Sequence, residues 1–412
     1  MKSQPAAPDR RAVEAVIRPR HKKTIEFASH GARLRFHVAD DLFSSFDVDV
    51  GTRLLLRTLA ESEQARRSSR VLDLGCGYGP IGLVLEAWRP EREAHLVDRD
   101  AVAVEFSRWN ASSNGLADVL VYPSLGYDDV AEGPFDLVVS NIPAKAGTPA
   151  ITALLLDARH FLAPDGLAAV VVIDRIADLT ASVLGSAPVE VSEPRRARGY
   201  TCFHYRFTTP TPEPGFVPAF ERGVYNRLEA KVRLRRETLH VVTAWGLPEF
   251  DTVSYATDLV AAQLERLRSP SISSLLAYEP GQGHLPLFAW RRLRPGRIAL
   301  RGRDLLALRV SNANLARNGC DSEVGIELAP YPLADDAPPH DLALTTLPPR
   351  STPALDASTV EGLLVAVAPG GSVVVGGSST AITRTLERVD AAVVDRSRSR
   401  GFSAAVLRRG AS

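Results

Sequence analysis

The sequence predicts an α/β fold in two consecutive copies, each a mainly parallel sheet covered by helices on both faces. Three observations predict it. Short β-branched runs alternate with helical stretches, the two halves of the chain repeat one another in register, and a glycine-rich loop joins the first of those runs to a helical stretch.

In the first half the strand-like runs are VLDL, AHLVD, VLVY, FDLVVS, AAVVVI and FHYRF, with helical segments such as 101–114 and 150–161 between them. Strands separated by helices pair in parallel and are buried on both faces. Ligands of such sheets bind beyond the carboxyl ends of the strands, where strand order reverses. The repeat supports the same architecture for the second half. Gly77 matches Gly281 at an offset of 204, which also places Asp100 on Asp304, Asn110 on Asn314 and Asn114-Gly115 on Asn318-Gly319. One further residue of offset aligns Asp136 with Asp341 and Pro143 with Pro348. A register held over more than a hundred residues indicates an internal duplication. Between the halves lies TTPTPEPGFVP, a Pro-rich linker at 208–218. The expected domains are therefore 1–207 and 219–412.

Bulk composition excludes several classes. The 412 residues are 45% hydrophobic and 24% charged, with a formal net charge of +1. No apolar stretch is long enough to span a membrane, and the opening MKSQPAAPDRRAVEAV has no apolar core of a secretory signal. Cys76, Cys202 and Cys320 are scattered and odd in number, giving neither a disulfide framework nor a C-x-x-C metal site. The nine histidines lack H-x-x-x-H spacing, so no metal is expected, and a reducing cytoplasm is the expected location. Near-neutral charge still allows a local basic face. The densest clusters, RPRHKK at 18–23, RRAR at 195–198, RLRR at 233–236 and the arginines of 291–303, read first as solvated faces and second as RNA contacts.

The chemistry concentrates in the first half. Asp73-Leu74-Gly75-Cys76-Gly77-Tyr78-Gly79 follows the run VLDL, and its glycines let backbone amides approach a ligand closely. Asp73 precedes the glycines, where its carboxylate suits an ammonium group. Asp98, at the end of the next strand, suits a ribose diol. An amino acid joined to a nucleoside needs both, whereas a phosphate would be repelled by the first.

DLGCGYG with VD after the second strand resembles the class I S-adenosylmethionine-dependent methyltransferases. DLFSSFDVDVGTRLLL, DLGCGYGPIG, NASSNGL, FDLVVSNIP and GYTCFHYR together are similar to the ribosomal-RNA guanine-N2 methyltransferases of the methyltransferase small group, which often carry tandem domains, one degenerate. The resemblance covers residues 25–207, and the second half through the duplication. It implies tandem Rossmann-like domains with seven-stranded sheets, and an S-adenosylmethionine site lined by Asp73, Gly75, Cys76, Gly77, Asp98 and Asn141 with Phe43 and Thr52 near it. It further implies that Ser140, Asn141, Ile142 and Pro143 face the methyl acceptor, with Ala144 and Lys145 following them in the acceptor loop. The Asn141 carboxamide oxygen and the next backbone carbonyl would accept hydrogen bonds from an –NH₂ group and orient its lone pair. With a cationic leaving group, alignment does most of the work.

This chain departs from the group's Asn-Pro-Pro-aromatic pattern by reading Asn141-Ile142-Pro143-Ala144. Losing the first Pro loosens the backbone, and losing the aromatic removes base stacking worth roughly 1–3 kcal/mol. Phe43, Phe46 and Tyr127 are the alternative platforms. Lys145 reads as a solvated lysine or as a contact to phosphate. In the second half the site positions become Ala277, Glu279, Gly302 and Thr346, so no cofactor site is expected there. The group's degenerate copy usually comes first; here the order is reversed. Three readings follow: methyl transfer to an RNA guanine amine on rRNA or a ribosomal subunit, methyl transfer to a small molecule or protein amide, and a non-catalytic S-adenosylmethionine-binding module.

Overall fold

The computed structural model describes residues 13–42, 46–116, 118–130, 133–209, 215–267, 271–333 and 338–410. The chain forms two compact units, Met1–Tyr225 and Asn226–Ser412.

After a helical segment over Val13–Ile17 and Arg18–Arg20, the first unit forms an antiparallel hairpin of β1 (His21–Ser29) and β2 (Ala32–Ala39), turned by His30 and Gly31 at positive φ. Helix α1 (Val50–Glu61) follows, N-capped by Asp49, whose carboxylate accepts the Thr52 amide at 2.6 Å. The main sheet uses β3 (Arg70–Leu74), β4 (Glu93–Asp98), β5 (Leu120–Pro123), β6 (Phe135–Asn141), β7 (Leu162–Ile173), β8 (Val189–Val191), β9 (Arg195–Ala197) and β10 (Tyr200–Phe207). Its order is β5-β4-β3-β6-β7-β10-β8, with the short β9 pairing the start of β10. The five strands from β5 to β7 are parallel and β10 runs antiparallel to β7. Every predicted run falls within a strand except that VLVY begins one residue before β5. Strand order reverses between β3 and β6, so the crevice beyond their carboxyl ends is the switch point of the sheet. The unit's further helices include α2 (Gly82–Trp88), α3 (Ala101–Ser113) and α4 (Thr148–Leu156).

The unit ends later than the proline-rich composition suggests. Phe216 meets Phe161 edge-on at 4.9 Å, the Ala219 and Phe220 amides donate to the Asp128 carboxylate at 2.6 and 2.9 Å, and Arg222 pairs with Asp157. Pro and Gly mark a lack of regular structure there, and not a lack of contacts, so the boundary lies at Tyr225/Asn226. Residues 210–214 of the expected linker lie outside the described residues.

The second unit repeats the plan with the hairpin β11 (Asn226–Leu234) and β12 (Glu237–Ala244), then β13 (Ser274–Tyr278), β14 (Arg297–Gly302), β15 (Glu323–Leu328), β16 (His340–Thr346), β17 (Val367–Ser378), β18 (Ala392–Ser399) and β19 (Phe402–Arg408). The order β15-β14-β13-β16-β17-β19-β18 matches that of the first unit. Its helices include α5 (Tyr255–Arg266), α6 (His284–Leu293), α7 (Leu305–Arg317) and α8 (Pro353–Ala366).

The residues common to both halves prove to be structural. Asp100 and Asp304 N-cap α3 and α7. Asp136 accepts two backbone amides at the start of β3, and Asp341 does the same at β13. Asn110 takes the amide of His37 and donates to the carbonyls of His37 and Tyr78; Asn314 makes the equivalent three bonds to Val242 and Gln282. Each asparagine thus fastens its hairpin to its glycine loop.

Candidate functional site

The site is built on the carboxyl ends of β3, β4 and β6. After β3 the backbone turns through Gly75 and Gly77 at φ 74° and 59°, a region costly for any residue with a Cβ. A Cβ added at either glycine would meet nothing within 4 Å, so the loop borders open space. The loop is fixed from below: the Gly75 and Cys76 amides both donate to the Val97 carbonyl at 2.9 Å, and Ser107 Oγ donates to the Gly77 carbonyl at 2.8 Å.

Asp73 is completely buried at the end of β3. Its Oδ2 accepts the Gly82 amide at 2.8 Å, whereas its Oδ1 has no hydrogen-bond partner among the described residues. Burial pushes its carboxyl up to about 7, against the Gly82 amide and with help from the nearby Asp98 charge. An unpartnered buried carboxylate oxygen at a loop bordering open space fits the ammonium of an amino acid. Asp98 ends β4 with Oδ2 on the Gly77 amide and Oδ1 on the Asp100 amide, both at 2.9 Å. Burial raises it to about 6, with the Asp100 charge adding. Each of its oxygens keeps a lone pair for a hydroxyl, which fits a ribose diol.

Cys76 does not line the loop with its side chain. Its thiol is buried 3.5 Å from Ser107 Oγ, and burial raises its pKa well above the usual thiol range. It closes the loop from inside, as an inert packing group.

On β6, Ser140 Oγ donates to the Leu74 carbonyl at 2.8 Å and locks the ends of β3 and β6 together. The next residue, Asn141, donates its Nδ2 to Asp49 Oδ2 at 2.9 Å and to Thr52 Oγ1 at 3.3 Å. Because the NH₂ side is held there, the carbonyl oxygen is the free edge of the amide; no described residue donates to it. Asp49 therefore caps α1 and orients Asn141 together, and burial raises its own pKa. Sequence reasoning named Thr52 but missed Asp49, although D-x-x-T before an apolar helical run is an N-cap signature. It also missed Tyr200, whose ring lies against Gly51 beside Asp49: a Cβ on Gly51 would stand 2.6 Å from the ring.

The acceptor loop is firmer than its missing proline suggests. The Ile142 amide, which a proline would lack, donates to the Val171 carbonyl at 3.0 Å, extending the pairing of β6 with β7. The Ile142 side chain is buried against Ile151, Val170 and Val172. Pro143 and Lys145 are exposed, and Ala144 packs against the same apolar cluster. Of the alternative platforms, Phe43 lies outside the described residues. Tyr127 is excluded: it is buried, stacked on Phe161 at 4.9 Å, with its hydroxyl on the Leu154 carbonyl. Phe46 is 72% exposed and carries Lys22 Nζ 3.5 Å from its ring centroid.

The matching place in the second unit is filled differently. Glu279 sits at φ 52° where the first loop has Gly75, and its carboxylate accepts the Arg303 amide at 3.0 Å. Gly302 supplies no acid, and Ala277 no counterpart of Asp73. The cavity there, bordered by Glu249, Tyr278, Glu279, Gln282 and Thr346, measures about 70 Å³. Ligand pockets usually run to roughly 300–1,000 Å³. Among the described residues no group of three or more His, Cys, Asp or Glu side chains gathers as a metal site would, and no helix is long and apolar enough to cross a membrane.

With this geometry in place, known proteins give a consistent comparison. Residues 33–203 match the family described as methyltransferase small domain. The chain is 33% identical over 147 residues to the uncharacterized protein YbxB of Bacillus subtilis (strain 168), covering 35% of this chain and 72% of that one. It is 36% identical over 137 residues to the ribosomal RNA small subunit methyltransferase C of Pasteurella multocida (strain Pm70), covering 32% of this chain and 40% of that enzyme, so the match spans less than half of it. The solved T. thermophilus 16S rRNA N2 guanine methyltransferase (RsmC), in complex with AdoMet and guanosine, shares the fold at a TM-score of 0.67 over 96% of this chain and 99% of that one, with 17% identity.

Proposed function

The chain belongs to the methyltransferase small domain family, and from that premise we propose that its first unit methylates a guanine exocyclic amine of ribosomal RNA, in the cytoplasm, with S-adenosylmethionine as donor. The observation that carries this reading is the Asp49–Asn141 bond, which turns a carbonyl oxygen outward beside the carboxylate-lined glycine loop.

Asp73 would hold the donor's ammonium through its unpartnered Oδ1, Asp98 its ribose hydroxyls, and Gly75 and Gly77 would let it lie close to the backbone. The donor supplies a methyl group already activated on a cationic sulfur. The protein then needs to position the amine. Asn141 Oδ1 and the Ile142 carbonyl accept the two N–H bonds of an –NH₂ group, leaving its lone pair as the free direction. The Ile142–Val171 hydrogen bond keeps that carbonyl aimed, the task a proline has elsewhere in the group. Such alignment supplies most of the rate when the leaving group is good. No strong base is required before transfer.

The ribosomal RNA acceptor is supported by the names of the Pasteurella and T. thermophilus relatives. A second reading, transfer to a small molecule or protein amide, is favoured by Ala144, which leaves the acceptor loop without an aromatic platform. The second unit, with Glu279 in place of a glycine and no acid at position 302, would serve as a scaffold or RNA-docking module without cofactor. Purified chain with labelled donor should transfer methyl to small-subunit RNA from a strain lacking the modification. Labelling of a small amine but of no RNA would sink the RNA acceptor and favour the second reading.

A further inference from the structure

The RRAR cluster of the sequence has a defined place in the first unit. Arg195 and Arg196 lie on β9, and Arg198 with Gly199 makes the turn into β10 at φ 45° and 87°. Register is fixed by Ala197 opposite Tyr200, Arg196 opposite Thr201 and Arg195 opposite Cys202. The turn is anchored, since the Asp174 amide donates to the Gly199 carbonyl and Thr201 Oγ1 donates to the Asp174 carboxylate, both at 2.8 Å. All three arginines are exposed. Arg195 pairs with Glu61 at 3.3 Å, while no carboxylate among the described residues pairs with Arg196 or Arg198.

At the foot of this hairpin stands Tyr200. Its ring occupies the space that any side chain at Gly51 would take, two residues beyond Asp49 in α1. Tyr200 is opposite Ile173 and Asn141 is opposite Val171 on the β7 strand between them. Both therefore lie at the same end of the sheet, two strands and two residues apart, roughly 12 Å at the usual strand spacing and rise. Two uncompensated guanidinium groups on a braced turn, an aromatic ring and an outward-facing amide oxygen follow one another along that end.

Building on the RNA reading above, we propose that the β9–β10 hairpin is the phosphate contact of the first unit, with Arg196 and Arg198 holding the strand that flanks the target nucleotide. Tyr200 is the stacking platform for the target base, in place of the aromatic that the Asn-Ile-Pro-Ala loop lacks. Arginine suits phosphate through its planar fork, and stacking on a tyrosine accepts any base. Edge strands also carry charge simply to discourage edge-to-edge pairing, and that role is separable by salt dependence.

The experiment uses the full chain with S-adenosylmethionine and a single-stranded small-subunit RNA fragment that the wild type methylates. For R196A/R198A the slope of log affinity against log salt should shrink by about 1.4, two contacts at roughly 0.7 each. KM for RNA should rise about tenfold or more, with kcat little changed. R196K/R198K should keep the wild-type slope. Y200A should lower kcat/KM by roughly 10- to 100-fold, and Y200F should restore it. Unchanged donor affinity, read by calorimetry, reports that each variant is folded. Wild-type slope and KM in R196A/R198A, or wild-type kcat/KM in Y200A, would overturn the corresponding half of the inference while leaving RNA methylation standing. Absence of RNA binding by the wild type would remove the RNA reading itself, and this inference with it.

Discussion

With one oxygen on the Gly82 amide and the other buried without a donor, Asp73 holds its proton up to about pH 7, and an ammonium group is the partner that would draw it into the ionised form. Two outcomes follow. Donor affinity should rise about tenfold per pH unit as the solution approaches pH 7 and level off above it, with a proton released on binding. Calorimetry in buffers of different protonation enthalpy checks this, and a flat affinity from pH 5 to 8 would contradict it. The free protein should also lose stability as pH climbs from the ordinary carboxylate range through about 7, because the native state keeps a proton that the unfolded chain gives up. Asp73→Asn should flatten that decline while weakening donor binding by roughly 10- to 100-fold. Asp49 carries a different duty. Asp49→Ala should cost about 1 kcal/mol through the lost cap of α1. It should also lower kcat about 100-fold by releasing Asn141, with donor affinity unchanged. Loss of donor binding in that variant would place Asp49 elsewhere in the mechanism. Asp73, Gly77 and Asp98 were readable as a linear pattern. Asp49 was not, because its partner Asn141 is 92 residues away and only the crossing of α1 over the sheet brings them together.

At the level of elements, the strands and the glycine turn were legible because buried parallel strands leave continuous apolar runs, and each run named from the sequence lies on a strand to within one residue. The acceptor loop was misread as loose. A pattern of residue types tells that a proline is absent, and says nothing of the hydrogen bond that its absence permits. Ile142→Pro, which restores the group's motif, should therefore destabilise the protein by about 2–3 kcal/mol. It deletes the Ile142–Val171 bond and a buried side chain from the cluster around Ile151 and Val170. Thermal unfolding measures this; an unchanged midpoint would mean that the loop relaxes around the ring. The linker was misjudged for a related reason, since contacts such as Asp128 with the Ala219 and Phe220 amides leave no trace in composition.

For the molecule as a whole, the duplication predicts a stoichiometry. One donor should bind per chain, at the first unit, because the second offers Glu279, Gly302 and a cavity of about 70 Å³ where the first offers the buried Asp73, the half-buried Asp98 and an open glycine loop. Titration of wild type and of Asp73→Asn decides it: a second equivalent, or an equivalent bound in the variant with wild-type affinity, would restore a site to the second unit. The two halves have diverged where chemistry is done and agreed where the backbone needs support, as at Asp100 with Asp304 and Asp136 with Asp341.

Asn110 and Asn314 give that agreement a practical use. Each fastens a hairpin to a glycine loop with the same three hydrogen bonds, yet only one of the two loops borders the intact pair of acids. The chain thus contains its own matched control. Whatever replacing Asn314 does to the melting curve is the mechanical worth of the fastening. Whatever replacing Asn110 does beyond that is the part the donor feels, and the two can be subtracted within a single polypeptide.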